Sequence, residues 1–311
     1  MHPTHGPEPK GQTLNAADGW TRYADAVVHR SGPESSCGGV PGDRRIGWKL
    51  QREIVLLLAW GPAILLQLAH PLVAQGIADH SSFRTQRHGR ARRLYYTIDA
   101  MLQLSFGTDA QAQAAVARIN AIHDRVNGHL AGAAGVFPDG ARYSAHDPAL
   151  LAWVHATLLD MNLRVYERYV GPLSPEEKDR YCAEASAIET PFGIPVGRLP
   201  RSLAELNQYM DAMLASGEIT VTDSARLLAR DIVYPPVPRV TTPALSLVRL
   251  HTVGLLPPGI RAAYGFSWSP RKEAWMTAST QLVRVVLRLT PPIVRHWPAA
   301  RRAARAALLP A

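Results

Sequence analysis

From Trp48 onward, apolar residues recur at three- and four-residue intervals, the period of amphipathic and buried helices. Ahead of them, residues 1 to about 45 are polar, with scattered glycines and prolines, and read as a poorly packed leader. The longest apolar stretch is Ile54–Leu66, broken by Gly61-Pro62. It is too short to span a bilayer and predicts two buried helical segments. Helix starts are well marked. Thr108-Asp109 opens a segment with Val116, Ile119, Ile122 and Val126 at helical spacing, closed by Gly128. Asp147-Pro148 is an N-cap followed by Pro at the first helical position, and its helix runs to Tyr169, ahead of Gly171-Pro172. Ser174 with Glu177, and Ser202 with Glu205, are capping boxes. Thr222-Asp223 starts another helix, 234–243 is a Pro-rich connector, and helices are expected at 244–251 and 258–264. The tail from about 271 is helical and basic, with Pro291-Pro292 as a break. No run of short β-branched strands and no long repeat is present. The pattern predicts an all-α protein with about ten helices.

Charge refines this picture. The chain of 311 residues carries a formal +9, but residues 241–311 hold ten basic residues and one acid, Glu273, while residues 1–240 are net neutral. The bulk of the protein is therefore no basic nucleic-acid binder, and an anionic partner belongs at the C-terminal end. Arginine supplies most of the positive charge, and with abundant Ala and Pro this fits a GC-rich bacterial coding bias, which weakens the reading of single arginines. Two isolated cysteines, Cys37 and Cys182, support neither a disulfide framework nor a zinc or iron–sulfur site, and fit a reducing cytoplasm. The N-terminus has no signal-peptide pattern.

The usual catalytic and nucleotide-binding motifs are absent: no GxGxxG, Walker loop, GxSxG, HExxH, di-iron ExxH pair or CxxCH. Histidines are the chemistry that is left. His70 ends an apolar segment, His80 follows it, and His123 and His155 lie on helices. A single histidine on an apolar helix face is more often a core residue than a ligand. Four in one all-α core are harder to dismiss, because each buried imidazole needs partners for its ring nitrogens. His123 is the best ligand candidate, as a helical imidazole facing an apolar cavity is the usual proximal ligand of haem b. Arg93, Tyr96 and Thr97 fall within one helical turn and can project toward a common point, although Arg93 sits among Arg90 and Arg92 and also reads as a solvated face.

The blocks LLQLAHPLVAQGIADHSSF (65–83), GRARRLYYTIDAML (89–102), INAIHDRVNG (119–128), the stretch 143–184, LPRSLAELNQYMDAMLASGEI (199–219) and TVGLLPPGIRAAYGF (252–266) resemble the catalytic domain shared by latex-clearing rubber oxygenases and the mycophenolic-acid-pathway oxygenase. The resemblance covers roughly 45–268 and is nearest to the short bacterial members. It implies a globin-like helical core holding haem b, with His123 as proximal ligand and O2 or peroxide as co-substrate. It places Arg93 and Thr97 on the distal side. Tyr96 stands where the rubber enzymes have a lysine, a departure that bears on the distal ligand. It matches Thr157 to a further threonine near the haem, and sets Asp79 and His80 near the proposed base. His70 and His155 are kept as further cofactor-binding candidates. The implied division is a leader to residue 45, a catalytic domain at 46–268 and a basic helical tail at 269–311.

Three readings follow. The first is a haem b-dependent oxygenase-type enzyme of the cytoplasm, acting on a small hydrophobic or specialised-metabolite molecule by hydroxylation, C=C oxidation or dehydrogenation. The second is a non-haem metal enzyme built from His70, Asp79, His80 and His123. The third is a non-catalytic helical protein that binds a membrane or partner. Basic and apolar residues alternating over 282–305 suggest a peripheral membrane contact, against the alternative of a docked terminal helix with solvated arginines.

Overall fold

The protein is described by a computed structural model covering residues 45–80, 89–235 and 241–307, with backbone alone for 89–93. The polar leader up to residue 44 and Cys37 lie outside the described residues. The described chain is mostly helical, as the spacing of apolar positions predicts. In order, the helices are α1 (Ile46–Gln51), α2 (Leu57–Leu68, after a 3-10 turn at Ile54–Leu56), α3 (Pro71–His80), α4 (Gly89–Phe106) and α5 (Asp109–His123). After a two-stranded hairpin come α6 (Pro148–Val165), α7 (Pro175–Ala185), α8 (Leu203–Ala215), α9 (Asp223–Val233), α10 (Thr242–Gly254) and α11 (Pro258–Ala263). The chain ends with α12 (Pro270–Leu289), α13 (Pro292–Arg295) and α14 (Pro298–Ala306).

The caps form as their residues dictate. Thr108 Oγ1 accepts the Gln111 amide while the Gln111 side chain accepts the Thr108 amide, and Ser174 and Glu177 do the same. Asp147 accepts from Ala149 N ahead of Pro148. Ser202 caps α8 through Glu205 N, but the Glu205 carboxylate reaches one residue further back, to Arg201 N.

α2 packs along α6 through the centre of the core. Leu65, Leu66 and Leu68 from α2 meet Trp153, Ala156 and Met161 from α6, all fully buried. Burial of each large side chain contributes about 2 kcal/mol relative to exposure. Gly61-Pro62 does not split the apolar stretch, contrary to the two-segment expectation: α2 runs through it, and its N-terminal break is the 3-10 turn. The glycine serves packing instead. A Cβ at Gly61 would stand 2.5 Å from Thr252 Oγ1, so its absence lets α10 close on α2. Between α2 and α3 the chain bends by 104°. No single helix among the described residues is long and apolar enough to cross a membrane.

One element escaped the pattern. β1 (Asn127–His129) and β2 (Arg142–Ser144) form an antiparallel hairpin directly after α5, with Gly128 opposite Tyr143. Gly128 therefore sits in a strand and α5 ends at His123. A Cβ at Gly128 would lie 2.5 Å from Tyr143 Oη, so the close pairing requires glycine. α6 gives way to a π-helical turn at Tyr166–Val170, against which α12 packs.

Candidate functional site

α4 and α5 form a helical hairpin joined at Gly107-Thr108. Its α5 arm ends at His123. That ring is partly buried, 6.5 Å from Phe192 and 5.7 Å from His146 between ring centroids. Its Nδ1 is buried with no hydrogen-bond partner among the described residues. A carbonyl or carboxylate partner for the second ring nitrogen is therefore absent from the described structure. Burial, then the neighbouring His146, lowers the His123 pKa, and Asp124 opposes them weakly. The ring is held neutral, the state a metal ligand needs. Asp124 is itself taken by His146, whose Nε2 lies 2.8 Å from Asp124 Oδ1.

The wall facing His123 is built by a residue with no sequence signal, Glu189. Its carboxylate is buried and accepts from Gly197 N, Leu199 N and the Arg201 guanidinium at 2.7–3.0 Å. These bonds close the loop that carries Pro191 and Phe192. Asn120, one turn before His123, donates its Nδ2 to Pro191 O at 3.1 Å. An acid followed by an arginine twelve residues on is too common a pattern to have marked it.

Asp79 and His80, at the end of α3, meet the β1–β2 hairpin around a third residue, Tyr143. Tyr143 Oη donates to Asp79 Oδ2 at 2.6 Å, and Gln75 Nε2 donates to Oδ1 at 2.8 Å. His80 Nε2 lies 3.0 Å from Asn127 O and 3.2 Å from Tyr143 Oη. A carbonyl only accepts, so the His80 proton sits on Nε2 and Nδ1 carries the lone pair. Burial, and then the bond to Asp79, raise the Tyr143 pKa, so its proton stays in place.

The other candidates are placed apart. His70 is fully buried, and its Nδ1 accepts from Leu72 N at 3.3 Å, so it caps the start of α3. Its Nε2 faces Glu218 Oε2 at 3.7 Å and its ring lies on Phe137. Burial lowers its pKa to about 4, against a smaller opposing pull from Asp147. His155, on α6, has a buried Nε2 without a partner among the described residues, and burial lowers its pKa to about 4 as well. Thr157 lies in the α2–α6 interface, donating to Val154 O at 2.8 Å and accepting from Gln67 Nε2 at 3.1 Å. Tyr96 and Thr97 are exposed on α4, Tyr96 in edge contact with Tyr95. The side chain of Arg93 lies outside the described residues.

Among the described residues no three His, Cys, Asp or Glu side chains gather as a metal-ligand group. The set His70, Asp79, His80 and His123 of the non-haem reading is thus dispersed: His70 caps a helix, Asp79 and His80 bind Tyr143, and His123 faces His146 and Phe192.

Residues 48–288 match the family described as ER-bound oxygenase mpaB/B'/rubber oxygenase, catalytic domain. The chain belongs to this family. The mpaB/rubber oxygenase domain thus accounts for most of the chain, from α1 almost to the end of α12, and the protein is of oxygenase type. A search of curated proteins found no match, and a search of solved structures found none.

The residues at the end of α5 suit a group that takes a single protein ligand. Among the described residues, this neutral, partly buried imidazole has a ring nitrogen without a partner, stands beside Phe192 and is not surrounded by a competing donor cluster. A protein-only metal site would need further donors at the same point.

Proposed function

We propose that this protein is a haem b-dependent oxygenase-type enzyme acting on a small hydrophobic molecule, with His123 as the proximal ligand. The observation that carries this reading is His123 itself: neutral, unpartnered at Nδ1 and set against Phe192. Haem, when bound, supplies the redox and dioxygen chemistry, and the chain supplies ligand, orientation and a dry setting. The Glu189-tied loop holds Phe192 against the His123 ring. α4 carries Arg93, Tyr96 and Thr97 within one turn, where they can hydrogen-bond an oxygen-containing ligand.

Asp79 and His80 divide a proton-handling role. The Asp79 carboxylate is already engaged by two donors, Gln75 and Tyr143, while His80 Nδ1 offers an open lone pair to a substrate proton. Below Thr97 on α4, Ile98, Met101, Leu102 and Phe106 face Leu56, Leu57, Trp60 and Trp297 across a narrow groove that also carries Gln51 and Ser105.

Hemin titration of the full chain tests the proposal. The expected result is a Soret band that saturates at a single haem per chain and is lost in His123→Ala with far-ultraviolet circular dichroism unchanged. A chain that takes up no hemin overturns the cofactor, and a variant that binds hemin as tightly as the parent overturns the ligand.

A further inference from the structure

α12 presents two apolar faces, and only one of them is used. Met276, Thr280, Val283 and Leu287 lie on one stripe and pack inward against the π turn and the core. Trp275, Leu282, Val286 and Leu289 fall on a second stripe, at spacings of seven, four and three residues, and each is more than half exposed. Trp275 is 71 % and Leu289 78 % exposed. Ile293 and Val294 of α13 extend the surface past the Thr290-Pro291 break. An apolar surface of this extent on a soluble helix calls for an occupant.

The charge beside it says which. Arg284 and Arg288 form an i, i+4 row next to Val285, and neither has a carboxylate partner among the described residues. Arg302 and Arg305 on α14 are likewise exposed and without a described acidic partner. The single acid of residues 241–311, Glu273, is bonded to Trp268 Nε1. The sequence pattern over 282–305 is also sharpened. Arg295 turns inward to a two-bonded ion pair with the buried Glu53, and Arg301 buries its Nε, so neither serves a surface role. The surface-seeking element is α12 with α13, not one helix through 305.

We propose that the outer face of α12 docks on an anionic lipid bilayer, lying in the interface with Trp275, Leu282, Val286 and Leu289 inserted and Arg284 and Arg288 at the headgroups. Apolar side chains enter the acyl boundary while arginines reach lipid phosphates, the division of labour of an interfacial helix. Charge complementarity selects this occupant over a second copy of the chain. A two-fold dimer through this face would bring its own arginine rows together with no acid to offset them. The proposal is independent of the cofactor reading.

The test is co-sedimentation of the full chain with phosphatidylcholine vesicles, with and without phosphatidylglycerol. Binding is expected to rise at least tenfold with the anionic lipid and to fall with added salt. Trp275→Gln with Leu289→Gln, both exposed and outside the core, should lower binding at least tenfold with helicity and thermal midpoint unchanged. Arg284→Gln with Arg288→Gln should remove the preference for anionic lipid. Equal binding to neutral and anionic vesicles, or parent-like binding by both double variants, overturns the proposal. So does a dimer in solution that Trp275→Gln with Leu289→Gln dissociates while the parent ignores vesicles.

Discussion

Two buried histidine environments at different places in this protein show how the same side chain serves two ends. His251, on α10, is fully buried and uses both nitrogens. Its Nδ1 accepts a short hydrogen bond from Tyr169 Oη of the π turn, and its Nε2 donates to Ser279 Oγ of α12 at 3.1 Å. The assignment is self-consistent, because Ser279 gives its own proton to the carbonyls of Trp275 and Met276. His251 thus ties three elements together. His123, at the end of α5, shares the lowered pKa but has no hydrogen-bond partner at Nδ1 among the described residues. Burial alone does not separate these two rings; hydrogen-bond satisfaction does, and what sets His123 apart from the equally unsatisfied His155 is its place at the end of α5 beside His146 and Phe192.

The largest expected effect breaks the first of these environments. His251→Leu removes both bonds and strands Tyr169 Oη in the core, so unfolding free energy should drop by about 3 kcal/mol. His123→Ala deletes no hydrogen bond and should cost about 1 kcal/mol or less while abolishing hemin binding. Urea titrations of the two variants check the contrast. A greater loss of stability in His123→Ala than in His251→Leu would invert it.

A pH titration sharpens the same contrast. His70, His155 and His251 have pKa values lowered to about 4, in each case mainly by burial. Unfolded histidine titrates near 6.5, so between that pH and about 4 the unfolded chain binds more protons than the folded one. Stability is therefore full above pH 6.5 and falls with acidification toward pH 4, by up to about 1.4 kcal/mol per pH unit for each histidine. Urea midpoints from pH 7 to pH 4.5 should show this decline, and His251→Leu should show a shallower one. A flat profile would mean that these rings protonate in place.

Much of the fold could be read from the residues because its signals are local. Caps at Thr108, Asp147, Ser174 and Thr222 are side-chain-to-backbone bonds within three residues, and they form as expected. Gly61-Pro62 misled because its meaning is tertiary: the missing Cβ matters only to Thr252, far along the chain. The hairpin after α5 was too short to produce an alternating pattern. Asp79 and His80 were found as neighbours in sequence, but Tyr143, which completes their group, is 64 residues away from Asp79. The same holds for His146 and Phe192 beside His123. His70 looked like a ligand because it ends an apolar helix, the same position that lets it cap α3.

The smallest expected effect concerns the wall rather than the ligand. Phe192 is partly buried and joins the small cluster of Ala152, Ile194 and Leu199. Phe192→Ala removes a ring that touches His123 without touching any bond that holds the loop. Glu189 keeps its three donors, so the loop should persist and stability should fall by about 1 kcal/mol, toward the low end for a truncated aromatic because the site is open to water on one side. The His123 ring then loses one of its two aromatic neighbours, and hemin affinity should fall by less than tenfold. Glu189→Gln is the complementary change. It weakens the acceptor for three donors and should loosen the whole segment, with a larger loss in both stability and hemin affinity. If Phe192→Ala weakens hemin binding more than Glu189→Gln does, the aromatic contact itself positions His123. If only Glu189→Gln acts, the loop backbone does so through Pro191 and Asn120.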